Sequence, residues 1–183
     1  LAYVLGEWGF RRLTLKVDRR ALGPRPETES VVGRCLSLIA GLEEPRVLDV
    51  GTGSGAIAIA LAVRLSSRRM LDEVDILAVD DVAEALDLAK ENSVGHAVGD
   101  RIRFAQADLI PLPEPPFDVI VANLPYVATE ALADLPAPVA FEPRHALDGG
   151  PDGLAVIRRL VEILPEVLAQ GGVAFLEIGA DQG

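Results

Sequence analysis

The order of apolar and polar residues predicts a small hairpin and then a helix at the start of the chain. Leu13-Thr14-Leu15-Lys16-Val17 alternates with a period of two, which is typical of a strand with one buried face. Together with the apolar residues before it, this run predicts an antiparallel hairpin over residues 1–17. Farther along, Val32, Leu36 and Ile39 recur at helical spacing, and they predict a helix that follows residues 23–29 and ends near residue 42.

From Arg46 onward, strand patterns and helix patterns take turns. Asp81 and Glu84 predict a capping box at the start of one helix. The proline-rich segment 111–116 predicts a tight loop, and 127–153 predicts a longer loop with one short helical turn. The predicted strands are 47–50, 75–80, 101–107, 117–122 and 172–178, and the predicted helices are 54–65, 81–92 and 154–169. Strands that alternate with helices form a mainly parallel, doubly wound sheet, so we expect a Rossmann-like α/β fold.

Charge and cysteine content narrow the classes of partner. The chain has 28 acidic and 17 basic residues and a net charge of -11, which disfavours a large nucleic-acid surface. Cys35 is the single cysteine, which excludes an intramolecular disulfide and a cysteine metal cluster. His96 and His145 lack ligand-like spacing, so we predict no metal site. The sequence has neither an apolar run of about 20 residues nor a secretion signal, and we predict a cytoplasmic protein without a membrane partner.

A glycine-rich turn, Asp49-Val50-Gly51-Thr52-Gly53-Ser54-Gly55, joins the first strand of the predicted sheet to a helix. Glycine at three of these positions lets the backbone turn sharply and approach a ligand closely. The spacing of Gly51, Gly53 and Ala56 also satisfies the dinucleotide pattern, so a nicotinamide or flavin cofactor stays open. The candidate cofactor-binding residues of this turn are Gly51, Thr52, Gly53, Ser54 and Gly55.

Three aspartates follow successive strands and are further candidate contacts of the cofactor. Asp49 is expected to place a carboxylate near the ligand, which suits the ammonium and sulfonium groups of S-adenosylmethionine better than a pyrophosphate. Asp80 is expected to accept hydrogen bonds from ribose hydroxyls, which both cofactor classes carry. Asp108 is expected to meet an adenine amino group, while Leu109 covers the adenine ring.

The tetrapeptide Asn123-Leu124-Pro125-Tyr126 follows directly on an apolar strand. It is predicted to lie at the carboxyl edge of the sheet, near the glycine turn. This places a polar amide, a rigid bend and an aromatic ring beside the ligand. We interpret the two motifs together as a site for methyl transfer to a planar nitrogen. The candidate catalytic residues are Asn123, Leu124, Pro125 and Tyr126.

These motifs and others along the chain resemble the protein-(glutamine-N5) methyltransferases, specifically the release-factor glutamine methyltransferase family. The resemblance covers nearly the whole chain. The family usually has Asn-Pro-Pro-Tyr where this chain has Leu124 in place of the first proline, and Pro125 restricts Leu124 to extended conformations. The other matching motifs are Leu5-Gly6-Glu7-Trp8, Arg25-Pro26-Glu27-Thr28-Glu29, Glu142-Pro143, Ala146-Leu147, Gly149-Gly150, Asp152-Gly153-Leu154 and Glu177-Ile178-Gly179.

The resemblance implies a class I methyltransferase fold with S-adenosyl-L-methionine as cofactor and S-adenosyl-L-homocysteine as product. It implies N5-methylation of the glutamine in the Gly-Gly-Gln loop of peptide chain release factors. In that reaction the side-chain oxygen of Asn123, which also lies beside the cofactor, and the backbone carbonyl of Leu124 accept the two amide hydrogens. Tyr126 packs on the glutamine side chain. Residues 25–29 are expected to border the cleft.

Several alternatives stay open on the sequence alone. They are glutamine methylation of a ribosomal protein, N6-methylation of adenine in nucleic acid, a dinucleotide-dependent oxidoreductase, and a non-catalytic module that binds the cofactor. We assign residues 1–24 to a hairpin and linker and residues 25–183 to the catalytic domain. The family's last two strands and its small N-terminal helical domain are expected to be missing from this chain.

Overall fold

Helices and strands alternate along most of the chain. The computed structural model describes residues 2–68, 70–136, 139 and 141–183. The helices are α1 (Ala2–Leu5), α2 (Thr28–Ile39), α3 (Ala56–Ser67), α4 (Ala83–Gly95) and α5 (Ala155–Val167). The strands are β1 (Glu7–Phe10), β2 (Leu13–Lys16), β3 (Arg46–Val50), β4 (Asp75–Asp80), β5 (Ile102–Gln106), β6 (Phe117–Ala122) and β7 (Leu168–Leu176). Short 3-10 helices lie at Leu71–Glu73, Thr129–Asp134 and Arg144–Ala146.

The main sheet, within the described residues, has five parallel strands in the order β5-β4-β3-β6-β7. This confirms the Rossmann-like α/β fold. The chain runs from β3 outward to β5 and then returns to place β6 on the other side of β3, so the strand order reverses there. Open α/β sheets bind ligands beyond the carboxyl ends of the strands at such a reversal. Val50 at the end of β3 pairs with Ala122 at the end of β6, so Gly51 and Asn123 leave the sheet side by side.

Apolar side chains cover both faces of the sheet, because adjacent residues of a strand point to opposite sides. Val47, Ile76 and Val119 belong to a core on the face that α2 and α3 cover. Leu48 and Ile120 belong to a second core, which α5 covers. With both faces buried, the carboxyl edge and its loops are left to present polar groups to a ligand.

The antiparallel hairpin is confirmed, and Glu7 of β1 lies opposite Lys16 of β2. The residues before it were predicted to belong to the hairpin but form α1 instead. Tyr3 of α1 is held by the segment that precedes α2: its hydroxyl donates to the Ala21 carbonyl (3.0 Å) and accepts from the Gly23 N–H (3.0 Å). This tertiary anchor, which the local pattern does not contain, explains the difference.

Asn92 of α4 joins the hairpin to the glycine turn. Its side-chain oxygen accepts from the Lys16 N–H (2.8 Å), and its amide nitrogen donates to the carbonyls of Lys16 (3.1 Å) and Ser54 (2.9 Å). The side chain therefore forms, with the backbone N–H and carbonyl of Lys16, the two hydrogen bonds that a neighbouring strand would form at the edge of β2. It fixes the hairpin against the turn that borders the candidate site.

The predicted capping box was wrong, and the long loop is more ordered than predicted. Helix α4 begins at Ala83, after Val82, and no described side chain caps it. The carboxylate of Asp80 accepts the Val82 N–H instead (3.0 Å), because the end of β4 places it beside that turn. Among the described residues of segment 127–153, 3-10 helices lie at two places, where one helical turn was predicted, and Val127 forms a parallel bridge with Asp148.

Two kinds of feature are absent from the described residues. None of their helices combines the length and the apolar character needed to cross a membrane. None of their histidine, cysteine, aspartate and glutamate side chains form a group of three or more that could hold a metal ion. Cys35 is a free thiol in the core, where burial raises its pKa to about 12.

Candidate active site

Two adjoining clefts open above the carboxyl edge of the sheet. The inner cleft, of about 790 Å³ with its open mouth, is lined by the glycine turn and by the loops that follow β4, β5 and β6. The outer cleft, of about 1000 Å³, lies between the tetrapeptide and residues 25–27. Leu22, Asn123, Leu124 and Ala146 line both clefts. The first half of the tetrapeptide therefore forms part of the wall that the two clefts share.

The glycine turn needs glycine for two different reasons. Gly51 has φ +67°, and a Cβ there would lie 2.9 Å from Cδ2 of Leu124. Gly55 has φ +81°, and a Cβ there would lie 2.8 Å from Cδ1 of Ile59 and 3.1 Å from Cβ of Ala89. Gly51 thus lets the turn approach the tetrapeptide, whereas Gly55 lets α3 pack closely on α4. Gly51 and Gly53 line the inner cleft, and Gly55 does not.

Asp49 lies beneath the glycine turn and does not line either cleft, and its contact with a cofactor stays a prediction. Only 1% of it is exposed. Its Oδ2 accepts from the Thr52 hydroxyl (2.7 Å) and from the Ala58 N–H at the start of α3 (3.1 Å), while Oδ1 has no partner among the described residues. Burial raises the pKa of this carboxyl to about 6. One donor belongs to the turn and the other to α3, so together they hold the carboxylate beneath the turn.

Thr52 and Ser54 are likewise buried and do not line either cleft. The Thr52 hydroxyl binds Asp49, and its N–H donates to the Val79 carbonyl at the end of β4 (2.8 Å). The Ser54 carbonyl accepts from Asn92. With Asp49 and Gly55, these residues support the turn from behind, and direct contact with a ligand is left to Gly51 and Gly53.

Asp80 lines the inner cleft at the point where β4 ends. Its Oδ2 accepts from the Gly53 N–H (2.8 Å) and its Oδ1 from the Val82 N–H (3.0 Å), and burial raises the pKa of the carboxyl. Each carboxylate oxygen can accept a second hydrogen bond. Asp80 therefore has the position and the remaining lone pairs to bind ligand hydroxyls, as the sequence predicts.

Asp108 and Leu109 lie along the same cleft, after β5. Leu109 adopts φ +70° and is mostly buried against the core under α5. The exposed carboxylate of Asp108 forms an ion pair with Arg159 of α5 (2.7 Å). Arg159 also lines the cleft but was not predicted, because 51 residues separate it from its partner and no local pattern links them.

The residues of the tetrapeptide line the two clefts, while the Leu124 side chain packs inward. The Leu124 side chain is 6% exposed and belongs to the core under α5, against Gly51. Asn123 Nδ2 donates to the Thr28 hydroxyl oxygen (3.1 Å), and that hydroxyl donates to Glu177 Oε2 (2.7 Å). Within the described parts of the chain, neither Asn123 Oδ1 nor the Leu124 carbonyl accepts a hydrogen bond. Pro125 lines the inner cleft beside them.

Tyr126 is half-buried in the outer cleft, together with charged residues from distant parts of the chain. Burial raises the pKa of its phenol, and the carboxylate of Glu177 raises it further. Arg25, Pro26 and Glu27 line the same cleft, so the first three residues of segment 25–29 border it. Arg25 forms an ion pair with the buried Glu142, so the segment before α2 is tied to the loop after the tetrapeptide.

Several lining residues were not singled out from the sequence as site residues. His145, whose sequence context indicates no ligand-like spacing, lines the inner cleft with Ala146. Leu22 lines both clefts, and Arg20 lines the inner one. Only the motif Ala146-Leu147 gave a sequence signal here, through the family resemblance.

Comparison with known proteins identifies the family. Residues 43–174 match the family model described as a methyltransferase domain. The chain belongs to this family. In agreement with the predicted resemblance, a release factor glutamine methyltransferase from Moorella thermoacetica is 43% identical over 184 residues, covering 100% of this chain and 63% of that protein. The chain spans 60 to 63% of the length of the curated relatives that it matches most strongly.

Solved structures support the fold. A methyltransferase from Pyrococcus furiosus superimposes with a TM-score of 0.62 at 17% identity, covering 92% of this chain and 70% of that one. A putative protein-L-isoaspartate O-methyltransferase from Plasmodium falciparum, solved with S-adenosyl-L-homocysteine, gives 0.57 at 15% identity, covering 97% and 67%. At such identities the likeness establishes the class I methyltransferase fold and not the substrate.

Proposed function

We propose that this chain binds S-adenosyl-L-methionine in the inner cleft and supports transfer of its methyl group to N5 of a glutamine side chain held in the outer cleft. The observation that carries the proposal is the pair of unused acceptors, Asn123 Oδ1 and the Leu124 carbonyl, at the wall between the clefts. A primary amide has two N–H donors on one nitrogen. Two acceptors at adjacent residues match that requirement.

The inner cleft fits the proposed cofactor. Gly51 and Gly53 offer backbone without side chains, Asp80 offers acceptors for ribose hydroxyls, and Leu109 offers an apolar surface for the adenine. Asp108 lies at the end of the inner cleft that we propose for the adenine, and its carboxylate also forms an ion pair with Arg159. When bound, S-adenosyl-L-methionine supplies the electrophilic methyl group.

A dinucleotide fits the inner cleft less well. Its pyrophosphate needs free backbone N–H groups at a helix start. Here the carboxylate of Asp49 accepts the Ala58 N–H in the first turn of α3 (3.1 Å), and Asp80 accepts the Gly53 N–H (2.8 Å). Both carboxylates also repel a diphosphate. This favours a cofactor with positive charge and argues against an oxidoreductase.

The chain's own contribution to transfer is to orient the amide. An amide nitrogen is a weak nucleophile because its lone pair is delocalised into the carbonyl. Holding both of its hydrogens, on Asn123 Oδ1 and the Leu124 carbonyl, turns the nitrogen toward the inner cleft, and such positioning supplies much of the acceleration in enzymes. Tyr126 offers its ring to the aliphatic part of the glutamine. Leu124 can replace the family's proline because the acceptor is a backbone carbonyl.

We propose the Gly-Gly-Gln loop of a peptide chain release factor as the substrate, because relatives that align with the whole chain are named release factor glutamine methyltransferases. The net charge of -11 disfavours nucleic acid as the alternative source of a planar NH2 group. We further propose residues 25–183 as the catalytic domain and residues 1–24 as a hairpin and linker fixed to it. Since release factors act on ribosomes, we propose a cytoplasmic location.

The test is transfer of labelled methyl from S-adenosyl-L-methionine to a purified release factor. The matched control is the same factor with its Gly-Gly-Gln glutamine changed to alanine, and parallel reactions contain ribosomal proteins or adenine-containing DNA. We expect label on the unmodified factor and none on its variant. Label on ribosomal protein or DNA alone would overturn the proposed substrate, and binding of the cofactor without transfer to any of them would overturn the proposed activity.

A further inference from the structure

The side-chain amide of Asn123 has a defined orientation that the transfer site needs. Its oxygen must face the substrate, because a reversed amide would present an N–H to another N–H. Oxygen and nitrogen of an asparagine amide have nearly the same size, so packing alone does not choose between the two orientations. The surrounding hydrogen bonds must make the choice.

Thr28 and Glu177 provide the hydrogen bonds that select the orientation of the Asn123 amide. A hydroxyl has a single hydrogen, and Thr28 uses it toward Glu177 Oε2 at 2.7 Å. Since a carboxylate only accepts, the direction of this bond is fixed. The Thr28 oxygen is then left as an acceptor, and it faces Asn123 Nδ2 at 3.1 Å.

We propose that Thr28 and Glu177 are positioning residues that hold the Asn123 amide with its oxygen turned to the acceptor substrate. The proposal rests on the proposed function and deepens it, because it explains why the site selects a group that donates two N–H bonds. Thr28 is 4% exposed, so water does not readily replace its hydroxyl. Thr28 lies at the start of α2, Asn123 directly after β6 and Glu177 directly after β7. Along the chain, Thr28 is 95 residues from Asn123 and 149 residues from Glu177.

The decisive variant is Thr28→Val, which keeps the branched shape and removes the hydroxyl. In the full-length protein we expect kcat to fall by about 10- to 100-fold, because the amide loses the partner that holds its orientation. We expect the dissociation constant for S-adenosyl-L-methionine to change little, and the thermal midpoint to fall by only a few degrees because buried hydrogen bonds are lost. Thr28→Ser keeps the hydroxyl and is expected to restore most of kcat. Thr14→Val, at an exposed position of β2, is the matched control without an effect.

Glu177→Gln tests the direction of the network. A glutamine can donate to the Thr28 oxygen, which frees the Thr28 hydrogen to meet Asn123 Oδ1 and reverses the amide. We expect kcat to fall in this variant as well. The double variant Thr28→Val/Glu177→Gln is expected to be no slower than the slower single variant, because both act through the same amide. Additive losses would mean that Glu177 acts directly on the substrate and would overturn its positioning role.

A second readout does not depend on activity. The ¹H–¹⁵N signals of the Asn123 side-chain amide, identified by their loss in Asn123→Ala, should show a proton protected from exchange in the wild type and in Thr28→Ser. That protection should disappear in Thr28→Val. If the wild type methylates no glutamine while the signals respond in this way, the proposed function fails and the positioning role stands. If Thr28→Val keeps both the protection and kcat, or Thr28→Ser is as impaired as Thr28→Val, the positioning role is overturned.

Discussion

Replacing Asp49 with asparagine is expected to remove a loss of stability that the wild-type protein suffers as pH rises. The carboxyl has a pKa of about 6 in the folded protein, against an ordinary value of 3.8. Between these two values the folded protein binds a proton that the unfolded chain has released. The stabilisation from this group is therefore fully present below about pH 4 and is lost as pH rises through 6.

The structure sets the size of this effect. The difference between the two pKa values corresponds to about 3 kcal/mol in the free energy of unfolding, of which roughly half is lost between pH 5 and pH 8. The cause is burial: Asp49 is 1% exposed and its Oδ1 has no partner among the described residues, so the charged form is poorly solvated. An asparagine keeps an acceptor for the Thr52 hydroxyl and the Ala58 N–H without carrying a charge.

Urea unfolding of the wild type and Asp49→Asn at several pH values from 5 to 8 measures the effect, in a range that stays above the isoelectric point near 4.6. Other carboxyl groups titrate equally in both proteins, so the difference between the two free energies isolates Asp49. We expect that difference to shift by roughly 1 kcal/mol in favour of the variant as pH rises from 5 to 8. Asp134→Asn, at an exposed position, should follow the wild type. Parallel curves for the wild type and Asp49→Asn would refute the assigned burial cost.

Three further substitutions test the site and its support. Asn123→Ala is expected to lower transfer by about 100-fold or more while cofactor affinity changes little in calorimetry, because it removes an acceptor for the substrate amide; normal transfer would refute that role. Asp80→Ala is expected to weaken cofactor binding by about 10- to 100-fold in the same calorimetric assay, and unchanged affinity would remove Asp80 from the site. Gly55→Ala is expected to lower the free energy of unfolding by about 1 to 3 kcal/mol in urea, because residue 55 has a positive φ and a Cβ there would lie 2.8 Å from Ile59. Gly95→Ala is the control, since a Cβ at that position has nothing within 4 Å. Equal stabilities of the two variants would contradict the close packing at Gly55.

Local sequence patterns located the main parts of the site correctly. Strands β4 and β6 begin and end where the apolar runs do, because a buried parallel strand needs apolar side chains on both faces. The glycine turn and the tetrapeptide follow directly on such strands, so their place at the carboxyl edge was predictable. Their closeness to each other followed only from the pairing of Val50 with Ala122, which no local pattern specifies.

The sequence by itself determined the alternating strands and helices, the glycine turn and the presence of Asn123 at a strand end, because these depend on residues that are neighbours in the chain. The tertiary structure decided which polar groups still have hydrogen-bonding capacity. Asp49 has one carboxylate oxygen engaged by Thr52 and Ala58, and Thr28, at a helix start, binds Asn123 and Glu177. Hydrogen bonds form between whichever donors and acceptors the fold brings within about 3 Å, and that distance bears no relation to separation along the chain.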